Sequence, residues 1–195
     1  EELIDVCRSL KGRGGKGCLI SGGCLPDGSV PLRRFIEAMR RIKREQGLTL
    51  VVHTGVVGAD VARGLAEAGV DAALIDVIGS QKTIEEVYNL DLEVDDYESS
   101  LRALHDSGVP FVPHIVVGLH YGRLLGEARA LEMISRYRPH GLVVIALIPL
   151  KGTPMEDVSP PRPEDVVWVL AKARIMMPEI PLALGCMRPK GSHRR

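Results

Sequence analysis

The chain has 195 residues, 45% of them hydrophobic, which is enough for one sizeable core and short for two. Twenty-five Lys and Arg balance 25 Asp and Glu, so the net charge gives no basis for binding nucleic acid or an anionic membrane. No apolar stretch approaches the ~20 residues of a membrane span, and the acidic opening residues are unlike a signal peptide. A soluble cytoplasmic protein is therefore expected.

Six apolar, β-branched runs end in glycine or a polar group and lead towards amphipathic helices. A helix-like stretch over 1–10 precedes the first run, Gly17–Ile20, which ends in Ser21-Gly22-Gly23-Cys24. Leu32, Phe35, Ile36, Met39 and Ile42 then recur at helical spacing and stop near Gly47, with Arg33, Arg34, Arg40, Arg41 and Arg44 on the opposite face, which reads as a solvated outer face ahead of a basic patch for an acidic partner. The run 48–52 ends in His53-Thr54-Gly55, and a helix over 60–68 turns Val61 and Leu65 inward. The run 72–75 ends at Asp76, and a helix over 95–107 turns Leu101 and Leu104 inward. Phe111–Val117 contains His114 and ends in Gly118-Leu119-His120; the helix expected over 124–137 buries Leu125, Ala128 and Leu131. The run 142–148 leads into Pro149-Leu150-Lys151-Gly152-Thr153-Pro154. A last helix starts at Pro163-Glu164-Asp165, placing Trp168, Met176 and Met177 in the core, and the run 180–184 leads into Gly185-Cys186.

Near-continuous apolar strands alternating with helices predict a parallel α/β sheet of about six right-handed strand–helix units. No linker divides 1–195, so a single domain is expected: most of a (β/α) TIM-type barrel lacking its first and last strands, as a fragment or part of an assembly. In such sheets ligands lie outside the carboxyl ends of the strands, where the unusual residues of this chain gather.

Gly12–Gly17 precedes a strand and so reads as a turn, not a phosphate loop. Ser21-Gly22-Gly23 follows a strand, and its bare backbone suits either a ligand or a tight turn. Four cysteines (Cys7, Cys18, Cys24 and Cys186) are too scattered for a disulfide framework, and are expected as reduced thiols in the core or on a metal. Cys24, Cys186 and His53, with His114 and His120 also near strand ends, are candidate soft-metal ligands. Asp76, ending an apolar run, is costly to bury alone and is expected to accept hydrogen bonds from a ligand. Arg188, Lys190, His193, Arg194 and Arg195 read as a tail or an anion site. A single asparagine, 13 prolines and an excess of arginine over lysine lean towards a thermophilic source.

From about residue 17 to 191 the chain resembles the biotin synthase-like branch of the radical S-adenosylmethionine (SAM) enzymes. The segments that carry it are Ser21-Gly22-Gly23, Glu67-Ala68-Gly69-Val70-Asp71, Val116-Val117-Gly118-Leu119, Lys151-Gly152-Thr153-Pro154 and Ala173-Arg174-Ile175-Met176-Met177-Pro178. The resemblance implies a (β/α) barrel whose mouth holds SAM and a [4Fe–4S] cluster, and 5′-deoxyadenosyl radical chemistry on a small organic substrate. It places Ser21 in the cofactor site, Gly22 and Gly23 at the methionine amino group, Asp76 on the ribose, and Val116, Gly118, Ile148, Pro149 and Leu150 around the adenine. The defining CxxxCxxC loop is absent from 1–195, and is expected from a missing N-terminal segment or a partner subunit. Cys24 stands where a carboxylate is usual and Tyr121 where a glutamate is common. Of the positions that hold the second cluster of biotin synthase, Cys18 matches a cysteine while Val51, Val112 and Pro181 depart, so biotin synthase activity itself is not expected. Sulfur insertion, methyl transfer and rearrangement remain open. A second reading is a degenerate barrel that binds SAM or acts as a scaffold. A third is a lyase or isomerase using Asp76 with His53 or His114 as acid and base.

Overall fold

The computed structural model describes residues 1–186 and 189; Arg188, Lys190, His193, Arg194 and Arg195 of the basic cluster lie outside the described residues. Six parallel strands follow one another in chain order in a single sheet, alternating with helices, the fold class of a partial (β/α) barrel. The chain divides into two compact units, Glu1–Ile75 with Ser99–Val112, and Asp76–Glu98 with Pro113–Arg195.

In the first unit, α1 (Glu2–Gly12) leads to β1 (Gly17–Ile20), so Gly12–Gly17 is a helix-to-strand turn as its position in the sequence predicts. A 3₁₀ turn (Arg33–Phe35) opens α2 (Ile36–Gln46), which Gly47 stops in the left-handed region at φ 61°. Next come β2 (Thr49–His53), α3 (Ala59–Glu67) and β3, which spans Ala72–Asp76 and begins in this unit. β1 pairs with β2 from Gly17↔Thr49 to Ile20↔Val52, and β2 with β3 through His53↔Leu74. The Ala73 N–H donates to Pro110 O at 2.8 Å, carrying the ladder on towards β4.

The pleat sorts these strands into two faces. Leu50 and Val52 of β2, with Ala73 and Ile75 of β3, have no exposed surface, and α2 packs on β2. Val51 and His53 of β2, with Ala72 and Leu74 of β3, are half-buried, and Leu19 of β1 is 56% exposed. At the amino end of β2, Asp71 Oδ2 accepts from Lys43 Nζ at 2.6 Å and from the Leu50 N–H at 2.7 Å. Burial pushes that carboxyl up, but the Lys43 ammonium and the Leu50 N–H outweigh it and hold it below the usual carboxylate range. The arginines of α2 and the turn before it meet acids, Arg33 on Asp60, Arg40 on Glu37 and Glu67, and Arg41 on Glu1 and Glu45, as a solvated outer face should.

The second unit opens with the end of β3 and a helical turn, α4 (Gln81–Thr83), which runs into a π-helical stretch (Ile84–Tyr88). The apolar periodicity of the sequence predicts no element at 81–88. α5 (Val94–Ser107) begins here, with Leu101 and Leu104 fully buried as their spacing predicts. β4 (Phe111–Val117), α6 (Glu127–Ser135), β5 (Leu142–Ala146), α7 (Pro163–Met176) and β6 (Leu182–Leu184) complete it. The Val77 N–H donates to His114 O at 3.0 Å, and β4 pairs with β5 and β5 with β6, all parallel. The same alternation holds in β4, where Ile115 and Val117 are buried beside half-buried His114 and Val116. α7 packs on β5 and β6, and α6 packs on α7.

Several helical expectations change. α6 starts at Glu127 rather than at 124, because Gly126 lies at φ 106°, outside helical space, so Leu125 is 40% exposed in the preceding loop. Trp168 is 45% exposed and carries Lys172 over its ring, whereas Met177 is buried. Ala62 takes the inward place expected of Val61, which is half-buried.

Gly79, after β3, crosses Gly126 backbone to backbone. A Cβ on Gly79 would meet Gly126 O at 2.2 Å and Ala130 N at 2.6 Å. Neither neighbour is a side chain that can swing away. Gly79→Ala is therefore expected to destabilise the fold by more than about 2 kcal/mol, measured by denaturant unfolding.

Candidate functional site

In the first unit the segment after β1 carries Ser21, Gly22, Gly23 and Cys24. All four are exposed, and the first three border a cavity of about 400 Å³ with Val30, Arg34 and Phe35. The turn of this loop lies further on, at Gly28 (φ 72°). Neither Gly22 nor Gly23 has a positive φ; a Cβ on Gly22 would touch Val30 at an ordinary 3.4 Å, and one on Gly23 nothing within 4 Å. Sterics and backbone therefore give no reason for glycine at either position. What they leave is an exposed stretch of bare backbone. The loop after β2 is bound to this one, with the Val56 N–H on Gly28 O at 3.0 Å and an antiparallel bridge of Ser29 to Gly55. Among the described residues, Cys24 has no second and third metal-binding side chain beside it within its unit.

Cys18 contacts Cys7 of α1 at 3.9 Å between sulfurs. Its register partner is the buried Leu50, whereas Leu19 pairs with Val51 on the half-exposed face. The pleat thus puts Cys18 on the face opposite Val51, which corrects its placement with Val51 in one set of cluster ligands.

In the second unit Asp76 ends β3 and His114 stands on β4. Asp76 Oδ1 lies 3.6 Å from His114 Nδ1, and their side chains are 33% and 14% exposed. A half-buried carboxylate beside an imidazole at a strand's carboxyl end can accept hydroxyl hydrogen bonds from a ligand. His120 is oriented by Thr83 Oγ1 at 3.3 Å from its Nδ1, and it packs edge-on against Tyr121.

Val116 is half-buried two residues from Gly118, whose φ of 76° favours glycine and whose missing side-chain space is filled by Pro161, 2.8 Å from an added Cβ. Ile148 and Pro149 are half-buried and Leu150 is 62% exposed, in the segment after β5. Here β5 ends at Ala146, earlier than the apolar run predicts, although the Leu147 N–H still donates to Val117 O at 3.0 Å; the chain turns further on, where Thr153 Oγ1 donates to Leu150 O. A groove of about 610 Å³ opens beyond β4 and β5, lined by Tyr121, Arg123, Ser159 and Arg162. Arg162 is held by Asp165, an acid that also borders the groove. Cys186 is exposed, just after β6.

One acid carries no motif and is not singled out by the sequence. Glu127 is 6% exposed, and its Oε1 accepts the Gly118 N–H at 2.9 Å, while Oε2 is buried without a partner. Burial pushes the carboxyl up, Asp165 adds to this, and the Gly118 N–H opposes it. The signal that could have found it is an acid directly after a glycine, at a helix N-terminus.

A folded-state value above the unfolded one means that protonation of Glu127 stabilises the fold. That contribution is complete below the unfolded carboxyl value and is lost as pH rises through the folded one. Glu127→Gln should flatten the pH dependence of unfolding above about pH 4.5 and leave the protein at least as stable at neutral pH. Glu127→Ala, which strands the Gly118 N–H, should cost about 1–3 kcal/mol. Urea titrations from pH 4 to 8 check both.

No protein-family model matches the chain. It is 29% identical to a biotin synthase of Prochlorococcus marinus (strain SARG) over 164 residues, 81% of this chain and 47% of that protein. To that of strain NATL2A it is 30% identical over 193 residues, 96% of this chain and 54% of that protein. The chain thus spans about half the length of the curated relatives it matches. Among solved structures, the [FeFe]-hydrogenase maturase HydG superposes with a TM-score of 0.69 at 15% identity, over 93% of this chain and 43% of that one. Coproporphyrinogen III oxidase from Escherichia coli, described as a radical SAM enzyme, gives 0.62 at 14% identity, over 89% and 43%. The HMG-CoA lyase of Brucella melitensis shares the fold at 0.58 and 16% identity, over 94% and 64%.

Proposed function

We propose that this chain, similar in sequence to biotin synthases and in fold to radical SAM enzymes, binds S-adenosylmethionine at the carboxyl ends of its strands for radical chemistry on a small organic substrate. The single observation that carries the reading is the bare Gly22-Gly23 backbone, a segment whose glycines serve no steric or conformational need of the chain. Its amides and carbonyls suit the ammonium and carboxylate of an amino acid. Asp76, with His114 beside it, suits the two hydroxyls of a ribose, as acids at strand ends do for other nucleosides. Val116, Ile148, Pro149 and Leu150 offer apolar surface for a purine. Glu127 keeps the Gly118 turn in place beneath that surface.

The chain's own thiols do not fit a [4Fe–4S] cluster. Cys7 and Cys18 face each other beside α1, and Cys24 and Cys186 lack the spacing of a three-thiolate loop. The cluster that the relatives imply takes its ligands from beyond residues 1–195, and no step here is assigned to it. When bound, it would supply the electron that cleaves SAM. Residues 1–195 form one functional domain in this reading, and the groove at Arg123 receives an anionic part of the substrate. With Cys18 on the helix side and valines at 51 and 112, the second cluster of a biotin synthase has no ligand set, so a different outcome is proposed.

Isothermal titration under nitrogen tests the claim. The purified chain should bind SAM, and Asp76→Asn should weaken binding about tenfold, the loss of one charge-assisted hydrogen bond. No heat of binding in a folded sample overturns the reading. The Asp76–His114 pair also favours an acid–base lyase, which turnover in air without iron would reveal.

A further inference from the structure

Cys7 and Cys18 have no part in the function above, yet α1 and β1 bring them together. Their sulfurs are 3.9 Å apart, against about 2.05 Å in a disulfide. Cys7 is 2% exposed, and its thiol is pushed up to about 11, by burial first and then by Cys18 beside it. Cys18 is half-buried, the more exposed thiol of the two. The other two cysteines are exposed and make no such pair.

We propose that Cys7 and Cys18 form a redox-responsive dithiol, a modification site that closes to a disulfide tying α1 to β1. A low-molecular-weight disulfide, RSSR, is the oxidant. The Cys18 thiolate attacks one of its sulfurs, the S–S bond breaks, and one RSH leaves after taking a proton. The Cys7 thiolate then attacks the Cys18 sulfur and displaces a second RSH. Two protein thiols and RSSR become one protein disulfide and two RSH, with two electrons passing to the reagent. Because burial makes Cys7 give up its proton reluctantly, the second step should quicken as pH rises.

The site faces away from the half-exposed surface that carries Leu19 and Val51, so closure leaves that surface uncovered. The eleven-residue separation closes a short loop, and the link should raise Tm by roughly 5–10 °C.

The test treats the whole chain with oxidised glutathione under nitrogen, followed by acid quench, alkylation and peptide mass mapping. Trypsin leaves Cys18 and Cys24 on one peptide, residues 17–33, so a Cys24→Ser variant is run beside the wild type. Peptide 1–8 should link to peptide 17–33 in both, the exposed Cys24 and Cys186 of the wild type should carry at most glutathione, and dithiothreitol should restore all four thiols. Cys18→Ser should abolish the link. The proposal is overturned if Cys7 stays alkylatable in folded, oxidised protein, if Cys18 stops at the glutathione adduct, or if Cys7 links to another cysteine.

Discussion

The two-residue period of a parallel strand is the constraint on which everything else in this chain rests. Once Leu50 and Val52 go under α2, Val51 and His53 must face the other way, and the register with β1 carries that decision to Leu19 and Cys18. Burying such a Val or Leu is worth about 1.5–3 kcal/mol each, so a one-residue slip that exposed the buried set would exceed any local preference. The same rule in β4 buries Ile115 and Val117 and leaves His114 and Val116 half-buried on the other face.

Position along a strand is set independently. The amino end of β2 is tied down by Asp71, which gathers Lys43 and the Leu50 N–H on one oxygen. The carboxyl ends are built differently, from glycines, prolines and loops that bind one another through backbone. Gly118 under Pro161 and Gly79 against Gly126 are packed too closely for a side chain, while Gly22 and Gly23 are not packed at all. Glycine therefore has two meanings in this fold. One lets the chain approach itself; the other leaves room for something else.

Much of this was legible in the sequence because strands and helices announce themselves by period. Gly17–Ile20 and Phe111–Val117 match their apolar runs, and α7 starts at Pro163 as its proline and acids predict. Errors arose where a local backbone feature overrode the pattern. Leu124 and Leu125 continue the helical spacing of α6, but Gly126 at φ 106° breaks it, and both leucines are left exposed. β5 likewise stops at Ala146, two residues before its apolar run ends. The contacts that define the site are less legible. That Asp76 meets His114, or Glu127 meets Gly118, depends on elements 38 and nine residues apart coming into register, which no periodicity encodes.

The contrast between the two ends of the sheet has an evolutionary consequence. Asp71 and its partners hold the amino side by specific charge and hydrogen bonds, so substitutions there are punished through folding. The loops after β1 and β2 are tied to each other through main-chain contacts, which survive many changes of side chain. Selectivity can drift on one side while the scaffold stays fixed on the other, and new chemistries can be sampled without first finding a new way to fold.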